Sequence, residues 1–101
     1  MRIEVLYVPG CPNYEPAIER LQALLESQSL QAEICSVPIS SEAQAKALLF
    51  PGSPTIRIEG KDVEQHETVV PSLACRLYAN RSGVPSEESL RIAISSAKRR
   101  E

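Results

Sequence analysis

The chain has no tryptophan, a single histidine, a single methionine, and only three tyrosines and one phenylalanine among its 101 residues. Its net charge is −2 at neutral pH. It therefore lacks both the basic surface and the stacking platforms that a nucleic-acid partner requires. No apolar run approaches the roughly 20 residues that cross a bilayer. The opening MRIEVLYV enters its apolar run too early, and holds it too briefly, for a secretory signal. These absences predict a cytoplasmic protein with no membrane and no nucleic-acid partner. No closely spaced cysteine or histidine pair offers a zinc site, and no cofactor is expected. His66, alone in a polar loop and with no oxyanion-hole motif in the chain, does not suggest a cysteine–histidine hydrolase. The three cysteines, at 11, 35 and 75, are expected to be reduced at rest. Any disulfide would then be transient, catalytic or redox-sensing.

What is present suits one domain over 1–101, long enough to bury roughly two-thirds of its unfolded surface without disulfides or metal. No repeat, low-complexity segment or linker stands out. The basic run Lys98-Arg99-Arg100 follows a helical pattern, where positive charge complements the helix dipole.

Residues 2–8, RIEVLYV, carry apolar side chains on both faces and predict a strand covered on both sides. Ala17, Ile18, Leu21, Leu24 and Leu25 form one helical stripe, with Asn13 as N-cap and Pro16 in the first turn, where no intrahelical N–H is needed. Residues 30–37 predict a second strand, and Ser41 to Gln44 fits a capping box opening a short helix. TIRIE at 55–59 alternates as a strand. Gly60-Lys61 predicts a turn, and 62–64 a short antiparallel return. Residues 65–74 carry no clear pattern, and CRLY at 75–78 reads as a strand fragment or a docked loop. Ser86 caps a last helix bearing Leu90, Ala93, Ile94 and Ala97. The order β-α-β-α-β-β-α predicts a mixed sheet of about four strands covered by helices, an α/β sandwich.

The most informative stretch is LYVPGCPNYEP at 6–16. Pro9-Gly10 stops the first strand, and Cys11 follows just before a helix. A helix N-terminus stabilises a thiolate. Position alone leaves open whether Cys11 is reactive or a small residue packed in a turn. Tyr14 stands where a C-x-x-C motif would have its second thiol. It is read either as a hydrogen-bond donor to the Cys11 sulfur or as an aromatic covering the turn. Cys35 lies within a strand pattern and reads as half-buried or core.

Cys11 after the first strand, with Ser53-Pro54-Thr55 before the third, resembles the thioredoxin-like superfamily. LYVPGCPNY, FPGSPTIRIEGKD and LACRLYANRSGVPSEESLRIAI together resemble a group of small prokaryotic thioredoxin-like proteins sometimes labelled alkylmercury lyase. The resemblance implies a three-layer thioredoxin-like sandwich, a cis peptide at Ser53–Pro54, and Cys11 as nucleophile. It also implies that the N–H and C=O of Ser53 pair with an extended thiol-bearing peptide or glutathione, with Pro54, Thr55 and Tyr14 at the same substrate site. In that fold Cys75 passes the same end of the sheet. It is then either a resolving thiol for Cys11 or a buried structural cysteine. The expected function is thiol–disulfide exchange or thiol transfer. The alternatives are a non-catalytic binding module, or a protein capturing soft ions such as mercury or arsenic through Cys11 and Cys75. Asp62 would be the proton donor if carbon–mercury bonds were cleaved. A purely structural role with inert cysteines remains a third reading.

Overall fold

The computed structural model describes residues 1–99. Arg100, the last residue of the basic run, lies outside them. The elements are β1 (Arg2–Tyr7), α1 (Tyr14–Ser27), β2 (Glu33–Pro38), α2 (Glu42–Ala47), β3 (Thr55–Ile58), β4 (Lys61–Asp62) and α3 (Glu87–Arg99). The strands form one mixed sheet in the order β2-β1-β3-β4. β1 runs parallel to β2, with Ile3 opposite Ile34, and antiparallel to β3, with Ile3 also opposite Ile58.

Alternation along β1 sorts its side chains between two cores. Ile3 and Val5 join Ile56 and Ile58 of β3 on one face, under Ala17, Leu21, Leu24 and Leu25 of α1 and Leu90, Ile94 and Ala97 of α3. Leu6 points to the other face and packs with Ile39, Ala45 of α2 and Phe50. The second core is smaller because α2 is short, so it covers only the end of the sheet where β1 finishes. That is the end on which the candidate thiols lie.

The helix starts follow from sequence, with one exception. Ser41 accepts at its Oγ from the Gln44 N–H (3.1 Å), and Ser86 does the same for Ser89 (3.0 Å). Asn13 precedes α1 as expected but makes no side-chain cap bond. Its carbonyl accepts from the Ala17 N–H instead (3.1 Å). Arg57 of β3 reaches the far end of α2, donating to the carbonyls of Leu48 (2.7 Å) and Leu49 (3.2 Å). A cation there complements the negative end of the helix.

Two boundaries differ from the sequence pattern. β2 begins at Glu33 rather than Leu30, because Leu30 belongs to the exit of α1. Ser29 turns left-handed (φ 52°), and the Leu30 N–H returns to the Leu25 carbonyl at 2.9 Å. The hairpin turn is Glu59-Gly60 rather than Gly60-Lys61. Both residues have positive φ (52° and 82°), which suits the tight turn whose twist matches paired strands. β4 is therefore Lys61–Asp62, not 62–64. Among the described residues, no helix is long and apolar enough to cross a membrane.

Leu21 is fully buried between α1 and the sheet. Leu21→Ala is expected to lower unfolding free energy by about 2–5 kcal/mol, and Ile56→Val by about 0.5–1.5. Denaturant titration of both variants checks this.

Candidate functional site at the end of β1

Cys11 is held by two consecutive turns. Its N–H donates to the Val8 carbonyl at 3.0 Å, and its own carbonyl accepts from the Tyr14 N–H at 3.3 Å. The first turn has proline at its second position and Gly10 at its third, with φ 88°. That is the pattern of a type II turn, which needs glycine there. Cys11 is half-buried, a free thiol three positions before the first residue of α1.

Tyr14 is engaged by β1 and β2. Its ring stacks on Tyr7 of β1, with centroids 3.9 Å apart, and its hydroxyl pairs with Ser36 Oγ of β2 at 2.6 Å. Its hydroxyl is thus engaged on β2 rather than at the Cys11 sulfur. The aromatic cover is the role the geometry gives it.

Ser53, 1% exposed, is the hub of the site. The Ser53–Pro54 peptide is cis. Ser53 Oγ accepts from the Val8 N–H at 2.9 Å, which ties it to the turn that carries Cys11. Its backbone is engaged on both sides. The Ser53 N–H donates to the Ala74 carbonyl (3.0 Å), and the Ser53 carbonyl accepts from the Arg76 N–H (2.9 Å). Cys75 thus forms a parallel bridge with Ser53. The main-chain groups expected to receive a substrate peptide are occupied by the chain itself, which corrects that expectation. Thr55, fully buried, is also spent internally. Its Oγ1 donates to the Gly52 carbonyl (2.7 Å) and accepts from Arg76 Nη1 (3.1 Å). The Pro54 carbonyl accepts from the Tyr78 hydroxyl at 2.6 Å.

The occupying segment, residues 72–78, forms a strap along 50–54. The Ser72 N–H donates to the Phe50 carbonyl at 2.9 Å and opens the contact. The strap passes so close to Gly52 that a Cβ there would lie 3.1 Å from the Ala74 carbonyl oxygen. Arg76 anchors it. Its guanidinium grips both oxygens of Asp62 (2.7 and 3.0 Å) and donates to the Glu64 carbonyl (2.9 Å). It also lies over the ring of Tyr78, 4.3 Å from the centroid. Burial is the largest influence and opposes the Arg76 charge, but the hydrogen bonds to Asp62 and the attraction of Tyr78, Asp62 and Glu64 together outweigh it and hold the group protonated. Burial pushes the Tyr78 hydroxyl well above the usual tyrosine range. Glu64 completes the anchor by accepting the Ala79 N–H at 2.9 Å. Asp62, expected as a proton donor, has both oxygens committed to Arg76 and serves as an anchor.

Sequence reasoning missed Arg76 and Tyr78. The available signal was an arginine inside the otherwise apolar LACRLY. An arginine in such a run is stabilised by a buried acidic partner.

Cys75 is exposed on the strap. Cys35 lies half-buried on β2, opposite Glu4, and its Sγ donates to Glu33 Oε1 at 3.4 Å. That bond, with burial and the surrounding carboxylates, raises the Cys35 thiol pKa. His66 is exposed, 4.0 Å from Glu64 Oε1. Among the described residues, no three histidine, cysteine or acidic side chains come together as metal ligands. The chain matches no family model, no curated protein and no solved structure.

The pair joins a buried arginine to a half-buried aspartate, and removing one partner leaves the other uncompensated. Arg76→Met alone is expected to cost about 3–5 kcal/mol of stability, and Arg76→Met with Asp62→Leu to regain a large part of it. Chemical denaturation of the single and double variants checks this; equal losses would contradict it. For Cys35, the raised pKa means less thiolate at a given pH. Its alkylation is expected to have a midpoint above that of a free thiol, moving down in Glu33→Gln. Mass-resolved labelling across pH measures both.

Proposed function

We propose that this protein is a thioredoxin-like thiol oxidoreductase of the reducing cytoplasm that works through Cys11 and Cys75. Three features support the thioredoxin-like reading: the strand order 2-1-3-4, the cysteine between β1 and α1, and Ser53-Pro54 leading into β3. The observation that carries the two-thiol reading is a short relay of hydrogen bonds. Ala74 and Arg76, on either side of Cys75, bond to the Ser53 backbone; Ser53 Oγ bonds to Val8; Val8 bonds to Cys11. Both cysteines are thereby tied to one residue at one end of the sheet.

In the reaction, the Cys11 thiolate attacks one sulfur of a substrate disulfide. The substrate S–S bond breaks, a mixed disulfide forms on Cys11, and the first substrate thiol leaves as thiolate and takes a proton. The Cys75 thiolate then attacks the Cys11 sulfur and releases the second thiol in the same way. The substrate gains two electrons, and the protein holds a Cys11–Cys75 disulfide, which an external thiol reduces by the reverse exchange. Cys35, with its raised pKa on β2, takes no part.

Mild oxidation followed by non-reducing peptide mapping tests this reading. The expected product joins the peptides of Cys11 and Cys75 and leaves Cys35 free. Absence of that link under every oxidant, or a link through Cys35 instead, overturns it.

A further inference from the structure

We infer that the disulfide taken by Cys11 is a small molecule rather than an extended polypeptide. This rests on the oxidoreductase reading above and narrows its substrate class.

An extended chain is held beside a thiol by main-chain pairing, so it needs a free N–H and a free C=O near that thiol. At this end of the sheet the residue tied to the Cys11 turn is Ser53; its N–H is spent on Ala74, and its carbonyl already accepts from Arg76 on the side an extended chain would pair. The neighbouring polar atoms are filled as well: the Pro54 carbonyl by Tyr78, and Thr55 Oγ1 by Gly52 and Arg76. The strap is not poised to leave. Arg76 is 6% exposed, and withdrawing it would strip its bonds to Asp62, Thr55 and Glu64 together. The strap's outward residues, Cys75 and Leu77, are exposed. A chain added there would pair with the strap and not with Ser53. Cys11 itself is a half-buried thiol in a turn, beside a Ser53 whose N–H is already spent. That suits a compact disulfide whose reacting sulfur is reached without main-chain docking.

The test uses the protein with Cys35→Ser and Cys75→Ser, so that only Cys11 reacts; the strap bridge is made by backbone atoms and does not need the Cys75 sulfur. Two pyridyl disulfides are compared, one of mercaptoethanol and one of a cysteine in the middle of an unstructured ten-residue peptide. In each, Cys11 attacks the alkyl sulfur, the S–S bond breaks, and thiopyridone leaves with the proton, so the leaving group is the same. The expected second-order rates agree within about threefold, or favour mercaptoethanol. In the same background Arg76→Met releases the strap, and the peptide rate is expected to rise about tenfold or more, as two newly free hydrogen-bonding groups allow, while the small disulfide changes little. Tyr78→Phe, which removes the hydroxyl that holds the Pro54 carbonyl, serves if Arg76→Met does not fold; a smaller gain in the same direction is then expected. A peptide preference of about tenfold in the Arg76-containing protein would overturn the inference, given what two such bonds contribute. So would a folded strap variant without a gain for the peptide. Cys11 inert to both reagents overturns the oxidoreductase reading, and this inference with it.

Discussion

The fold at this end of the molecule depends on one constraint: the guanidinium of Arg76 lies almost wholly inside the protein and must be neutralised there. A buried charge without partners is too costly to keep. The planar fork of arginine matches a carboxylate with two parallel bonds, and Asp62 of the β3–β4 hairpin supplies that carboxylate. Once the side chain is committed to the hairpin, the Arg76 backbone lies against Ser53 and carries Cys75 with it. The same residue thus fixes an irregular loop, satisfies the main chain beside Pro54, and sets where an exposed thiol stands.

The three thiols differ through their surroundings rather than their burial alone. Cys11 and Cys35 are both half-buried. Cys11 lies in a glycine-dependent turn just ahead of the fourteen residues of α1. Cys35 lies beside Glu33, and the carboxylate there disfavours the thiolate. Cys75 owes its position to backbone pairing, so its sulfur stays available. The fold lays the distant segment that carries Cys75 onto the residue before Pro54.

Most of the architecture was legible in the sequence because it rests on local signals. The apolar stripe of α1, the Ser41 and Ser86 caps and the alternation of Ile56 and Ile58 each name their element. The β2 boundary was misread because Leu30, apolar and next to a strand, packs against the core from a helix exit. The site was legible only in outline. Cys11 stood out from its local context, and Ser53, Pro54 and Cys75 only through the resemblance to the thioredoxin-like superfamily. The filling of Ser53 by the strap did not, because it depends on Arg76 and Asp62, fourteen residues apart and joined only by tertiary structure. Nor did a local pattern show that Tyr14 would turn to Tyr7 and Ser36.

The strap belongs to the native structure and keeps the Ser53 backbone paired. Amide hydrogen exchange of the reduced protein measures this at two positions, the Ser53 and Arg76 N–H groups. Both are predicted to exchange as slowly as the amides of β3. Exchange of either at the rate of an open loop, while β3 stays protected, would contradict it.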